Sequence, residues 1–132
     1  MRGGVLHRWL ADFVASEAER IGATTREEVA FRLPDGRATA IDVLIESRQV
    51  SIPVEIETTP RTVASNLEKA SRLFRELWIL VPNQRVESAV SRVWNRSRHR
   101  PSITVLMTPD LLSQALRDRF PAFPAVNEGM ET

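Results

Sequence analysis

The sequence predicts an α/β domain in which a central, mixed, five-stranded sheet is flanked by helices. The first observation behind this prediction is an amphipathic helical pattern at the start of the chain. The second is a set of three alternating segments joined by tight turns, and the third is a pair of apolar segments separated by helical patterns. Strands joined by tight turns pair antiparallel and strands joined through helices run parallel, so a mixed sheet is expected.

The chain begins with a predicted helix over residues 4–21. Leu6, Leu10 and Phe13 recur at three- and four-residue spacing, which is typical of a helix with one apolar face. Gly22 stands where a helix C-terminal glycine belongs, because glycine accepts a positive φ without steric cost.

Three strands are predicted next, over about 29–33, 37–46 and 50–57. Pro34-Asp35-Gly36 predicts a tight turn between the first two, since proline fixes φ and glycine allows a positive φ. The three segments should therefore form an antiparallel meander.

Helices and strands alternate in the second half of the chain. Thr58-Thr59-Pro60 predicts a helix start, with a threonine cap and a proline in the first turn. In chain order, the remaining predictions are a strand over 77–81 that is buried on both faces, a helix from Val86 to near Arg98, a strand over 103–107 and a helix opened by 108–110. The predicted order is α-β-β-β-α-β-α-β-α, with residues 1–120 forming one domain and residues 121–132 a flexible C-terminal tail.

Composition narrows the classes of function. The chain of 132 residues has no cysteine and only two histidines, so a thiolate or histidine-rich metal site is not expected. Any metal would be held by oxygen ligands, which favours Mg²⁺, Mn²⁺ or Ca²⁺. No apolar run is long enough to span a membrane and no apolar signal segment is seen, so the expectation is a cytoplasmic protein without a membrane partner.

Three carboxylates mark the predicted sheet. Glu55 and Glu57 are two residues apart on the third strand and should share a face, and Asp42 on the second strand could lie beside Glu55 in a hairpin. An alternating Glu-Ile-Glu is also what a half-exposed strand shows. Asp42 within an otherwise apolar strand is less usual, because aspartate is depleted from strand interiors. A divalent cation among the three carboxylates would offset their repulsion.

At these residues the chain resembles the PD-(D/E)XK, or restriction-endonuclease-like, nuclease superfamily. The resemblance covers about residues 3–112 and includes the order of the elements. The matching positions are Gly4-Val5-Leu6-His7, Gly22, Glu28, Ile41-Asp42-Val43-Leu44-Ile45, Val54-Glu55-Ile56-Glu57-Thr58, Asn66 and Lys69.

The resemblance implies roles for several of these residues. Asp42, Glu55 and the backbone carbonyl of Ile56 would bind Mg²⁺ or Mn²⁺, and Glu28 on the first strand could join them. Glu57 departs from the family pattern, because it stands where lysine is usual. Lys69, the only lysine in the chain, could supply the missing charge from the following helix, or it could be an ordinary solvated helix residue.

Arginines are the predicted contacts to substrate. Arg61 follows the acidic strand, and Arg92, Arg96, Arg98 and Arg100 cluster toward the end of the third helix, where they could neutralise phosphates or simply complement a helix dipole. His7 could approach the site, or it could be a helix-surface histidine.

Two functions follow from these residues. The first is a divalent-metal-dependent endonuclease-like protein that hydrolyses DNA phosphodiester bonds. The second is a catalytically inactive nuclease-fold module that binds DNA or a protein partner in a DNA-processing or mobile-element complex. A homodimer or a larger DNA-processing complex is compatible with both.

Overall fold

The computed structural model describes residues 4–120, which form four helices and five strands. In chain order these are α1 (Val5–Arg20), β1 (Thr24–Arg32), β2 (Ala38–Glu46), β3 (Ser51–Ile56), α2 (Val63–Leu73), β4 (Glu76–Leu80), α3 (Gln84–Arg96), β5 (Ile103–Met107) and α4 (Pro109–Arg119). The predicted order of elements is confirmed. The expected tail over 121–132 lies outside the described residues.

The strands form one mixed sheet in the order β1-β2-β3-β4-β5. The β1–β2 and β2–β3 pairs are antiparallel, and the β3–β4 and β4–β5 pairs are parallel. The α/β class and the mixed five-stranded sheet flanked by helices are therefore confirmed. The turn at Gly36 has φ of +93° and the end of α1 at Gly22 has φ of +83°, as the glycine positions predicted.

Two apolar clusters cover the sheet, one on each side. The first joins α1 and α4 to alternate strand residues such as Val54 and Ile56. The second joins α2 and α3 to the other set, including Leu77 and Ile79. Residues 77–81 are buried throughout, as expected for a strand covered on both faces.

The predicted helix start at Thr58-Thr59-Pro60 is wrong, because α2 begins at Val63 with Thr62 as its N-cap residue. The N–H of Glu57 still donates to the carbonyl of Leu80 at 3.0 Å, so the chain leaves the sheet only after this residue. A residue that precedes proline is also disfavoured from helical backbone. The segment from Thr58 to Thr62 is therefore a connecting turn.

Two boundaries also differ from the prediction. β1 begins at Thr24 instead of near residue 29, because its pairing with β2 continues to Thr24 opposite Glu46. α3 ends at Arg96, two residues before Arg98, since Ser97 is already extended. No helix within residues 4–120 is long and apolar enough to cross a membrane.

Candidate functional site

Asp42 and Glu55 occupy neighbouring positions on adjacent strands inside the protein. The last aligned pair of β2 and β3 is Val43 with Val54, so Asp42 and Glu55 hold the next position on each strand. Only 2% of Asp42 and 3% of Glu55 is exposed to solvent. The sequence-predicted proximity of these two acids thus agrees with the strand register.

The carboxylate of Asp42 connects β2 to both β3 and α1. Its Oδ2 accepts a hydrogen bond from the backbone N–H of Ile56 at 2.8 Å, and its Oδ1 lies 3.4 Å from Nε2 of His7. The side chain thus binds the β3 backbone just beyond the last aligned pair of the two strands. Asp42 therefore has a structural contact on each side, with its carboxylate fully buried.

His7 belongs to this site more closely than its sequence position indicated. Its side chain is only 12% exposed, and α1 carries it against Asp42. The helical pattern alone could not show this contact, because the contact depends on how α1 is rotated over the sheet.

Arg8 fixes the same end of α1 to the edge strand. Its guanidinium donates to Glu27 of β1 at 2.6 Å and to Asp12 at 2.8 Å. The hydrogen bond from Arg8 to Glu27 is the main cause that raises the pKa of Arg8 above its usual value. This pair stabilises the position of the neighbouring His7.

Glu57 lies just beyond β3 and points to the start of α2. Its Oε2 accepts a hydrogen bond from the side-chain amide of Asn66 at 2.7 Å, and its Oε1 accepts one from the hydroxyl of Thr62 at 3.3 Å. Glu57 is also buried. A carboxylate at a helix N-terminus is favourable, so Glu57 anchors α2 to the edge of the sheet.

Lys69 follows Asn66 by three residues and shares its face of α2. It is half-buried and makes no ion pair with any carboxylate within residues 4–120. Three helical residues correspond to a rise of about 4.5 Å. Lys69 therefore lies almost one helical turn beyond the residue that contacts Glu57.

Glu28 lies across from Asp42 on β1, between the aligned pairs Glu27–Val43 and Val29–Ile41. It is exposed, and its φ of +50° is the only positive value at a non-glycine residue in the described part of the chain. Such a conformation is unusual for a residue with a side chain and is stored by the surrounding structure. The β1–β2 ladder is thus distorted at the position of Asp42.

The predicted arginine cluster divides between the two ends of the sheet. The segment from Arg96 to Arg100 connects the end of α3 to the start of β5 and is exposed except for the half-buried Ser97. Because β3, β4 and β5 are parallel, this segment lies at their N-terminal ends, whereas Glu55 and Glu57 lie at the C-terminal end of β3. A five-residue strand is about 17 Å long. The expectation that Arg96, Arg98 and Arg100 flank the acids is therefore wrong.

Other arginines lie at the acidic end of the sheet. Arg61 is exposed in the turn that follows Glu57. Arg85 is exposed in the first turn of α3, directly after β4. Arg85 was absent from the predicted contacts, although the rule that ligands bind beyond the carboxyl ends of parallel strands could have identified it. Arg92 is exposed on α3 between the two ends.

The oxygen donors of the site are compatible with a small divalent cation. Within residues 4–120, no group of three histidine, cysteine, aspartate or glutamate side chains is arranged to hold a metal ion. Mg²⁺ is commonly bound through one or two carboxylates with water molecules in its other positions. Asp42 and Glu55 provide two carboxylates, and a carboxylate oxygen that accepts one N–H retains a second lone pair.

Comparisons with known proteins define the fold of the chain only. No family model matches the sequence, and no curated protein matches it. Among solved structures, the fold is similar to the crystal structure of AF1548, a protein of unknown function, with a TM-score of 0.50 and 14% sequence identity. The similarity covers 77% of this chain and 58% of the other, so the chain spans less than two thirds of the length of that protein. The class is an α/β domain with a mixed five-stranded sheet.

Proposed function

We propose that this chain is a Mg²⁺- or Mn²⁺-dependent endonuclease of the restriction-endonuclease-like, or PD-(D/E)XK, type that hydrolyses DNA phosphodiester bonds. The observation that carries the proposal is the pair of buried acids Asp42 and Glu55 at adjacent positions of β2 and β3. Burying two carboxylates side by side is unfavourable in the absence of positive charge, and a divalent cation supplies that charge. The cytoplasm is the proposed location.

Each residue has a role in this proposal. Asp42, Glu55 and the carbonyl oxygen of Ile56 hold the cation, which when bound polarises the phosphate and lowers the pKa of a bound water. Glu57 holds α2 in position through Asn66 and Thr62. Lys69, on the same helix face as Asn66, stabilises the negative charge that develops on the phosphate.

DNA is the proposed partner, and its phosphates would meet the arginines at the acidic end of the sheet. Arg61 and Arg85 are exposed there and make no ion pair within the described residues. Arginine binds phosphate bidentately, and each neutralised phosphate releases a counterion. We therefore expect binding to weaken with salt and to depend on both arginines.

A second function, a catalytically inactive module that binds DNA or a protein in a DNA-processing or mobile-element complex, is favoured by two observations. Glu57 stands where the family usually has lysine, and its carboxylate is bound by Thr62 and Asn66. Lys69 makes no ion pair with an acid among residues 4–120. Arg61 is exposed, so it does not fill the acidic pocket in place of Lys69.

A plasmid-nicking assay with Mn²⁺ separates these functions. The endonuclease predicts nicking that is lost in Asp42→Asn and Glu55→Gln but retained in Asp35→Asn, a matched control in an exposed turn. The binding module predicts DNA binding without nicking, weakened by Arg61→Ala but unchanged by Glu55→Gln. If the protein neither nicks nor binds DNA, the nuclease and the DNA-binding form of the module are both refuted.

A further inference from the structure

The two edges of the sheet differ in how they are protected from pairing with another strand. β1 carries charged residues along its length, and the positive φ of Glu28 distorts its backbone. Charges and backbone distortion are the features that keep an edge strand from pairing. The β1 edge is therefore protected.

β5 lacks this protection. Its sequence, Ile-Thr-Val-Leu-Met, contains no charged residue, and Ile103 and Val105 remain 43% and 38% exposed. Within residues 4–120, no strand pairs with β5 on the side away from β4. An uncharged edge with exposed β-branched residues is a template for a further strand.

The hydrogen bonds of β5 show which backbone groups face the open side. The N–H of Ile103 donates to the carbonyl of Arg75, and the carbonyl of Met107 accepts from the N–H of Val81, both at 3.0 Å. Successive residues of a strand direct their backbone groups to opposite sides. The N–H and C=O groups of Thr104 and Leu106 therefore point away from β4.

We propose that this edge is a dimer interface, in which β5 pairs antiparallel with β5 of a second copy about a two-fold axis at Val105. In this register, Thr104 of one copy exchanges two backbone hydrogen bonds with Leu106 of the partner subunit, and the symmetry repeats the pair. Val105 then faces its own equivalent. The pairing joins two five-stranded sheets into one of ten strands, and the interface is isologous.

Charge complementarity selects a second copy of this chain as the occupant. Arg100 and Asp110 lie five residues before and after Val105, and both are exposed. The same register therefore brings Arg100 opposite Asp110 of the partner subunit, twice per dimer. Parallel pairing would instead put like charges together. The inference does not depend on the proposed nuclease function.

Single cysteines test the register, since the chain has none of its own. Val105→Cys places two thiols at a non-hydrogen-bonded pair, where the Cα atoms are about 4.5 Å apart and within reach of a disulfide. Ile103→Cys is the matched control, because its equivalents would be four residues out of register, or about 13 Å apart. After mild oxidation of the full chain, we expect a covalent dimer from Val105→Cys only. Equal cross-linking of both variants, or none, would overturn the proposed register.

Sedimentation of the full chain tests the interface without a cross-link. The wild type is expected to be dimeric at micromolar concentration, and Val105→Lys to weaken the dimer by about tenfold or more, because two like charges then face each other. Ala30→Lys on the exposed β1 edge is the control and should remain dimeric. Arg100→Glu and Asp110→Arg should each weaken the dimer and restore it when combined. A monomeric wild type would refute the proposal.

Discussion

Replacing Asp42 separates its structural role from its proposed function. Asparagine has the same shape as aspartate, and its carbonyl oxygen can still accept the N–H of Ile56. Its amide nitrogen would face Nε2 of His7, which lies 3.4 Å from the present oxygen and can accept a hydrogen bond when the ring is neutral. Asp42→Asn should therefore change the free energy of unfolding by no more than about 1 kcal/mol.

Asp42→Ala removes both contacts. The buried N–H of Ile56 loses its acceptor, which costs about 1–3 kcal/mol. For a domain of this size, a loss of about 2 kcal/mol lowers Tm by roughly 8 °C.

Mn²⁺ is the third arm of this prediction. If Asp42 is a ligand, Mn²⁺ at about one hundred times its Kd stabilises the wild type by about 2.7 kcal/mol, or roughly 10 °C in Tm. The Asn variant should show almost no such shift, although it is folded. Differential scanning calorimetry with and without Mn²⁺ measures all three proteins, with Asp35→Asn as the control. A full Mn²⁺ shift in Asp42→Asn would refute the role of this carboxylate.

The remaining predictions concern the anchor of α2, the lysine and the edge of the sheet. Glu57→Ala and Asn66→Ala should each lower the free energy of unfolding by about 1–2 kcal/mol. A double-mutant cycle in urea should give a coupling near 1 kcal/mol, and additive losses would contradict the contact. Lys69→Met should leave stability within about 0.5 kcal/mol, because this lysine makes no ion pair among the described residues, and should reduce nicking on the order of a hundredfold. Unchanged nicking would exclude Lys69 from the reaction. Hydrogen bonds from Arg26 hold the pKa of Glu46 below its usual value. The pair therefore stabilises the fold above the usual carboxyl pKa, and the effect disappears as pH falls through the lowered pKa. Arg26→Met should cost less than about 1 kcal/mol at neutral pH and nothing in strong acid, and a pH-independent loss in urea unfolding would contradict this account.

Local patterns were sufficient for most of the fold. Period-two alternation defined β2 and β3, and an unbroken apolar run defined β4. The two glycines at positive φ ended α1 and turned β1 into β2. These features depend on residues close together in the chain, so the sequence contains the information directly. The start of α2 was missed because Glu57 stays in the sheet through a bond to Leu80, a contact between distant residues.

The sequence by itself determined that Asp42 and Glu55 lie on adjacent strands, since the meander and its alternation fix the strand pairing within a few residues. Only the tertiary structure decided what surrounds them. It brought His7 against Asp42, directed Glu57 to Asn66, and separated the arginines after α3 from the acids. The physical reason is that the rotation of a helix over a sheet, and the end of the sheet at which a crossover finishes, are set by packing between distant segments.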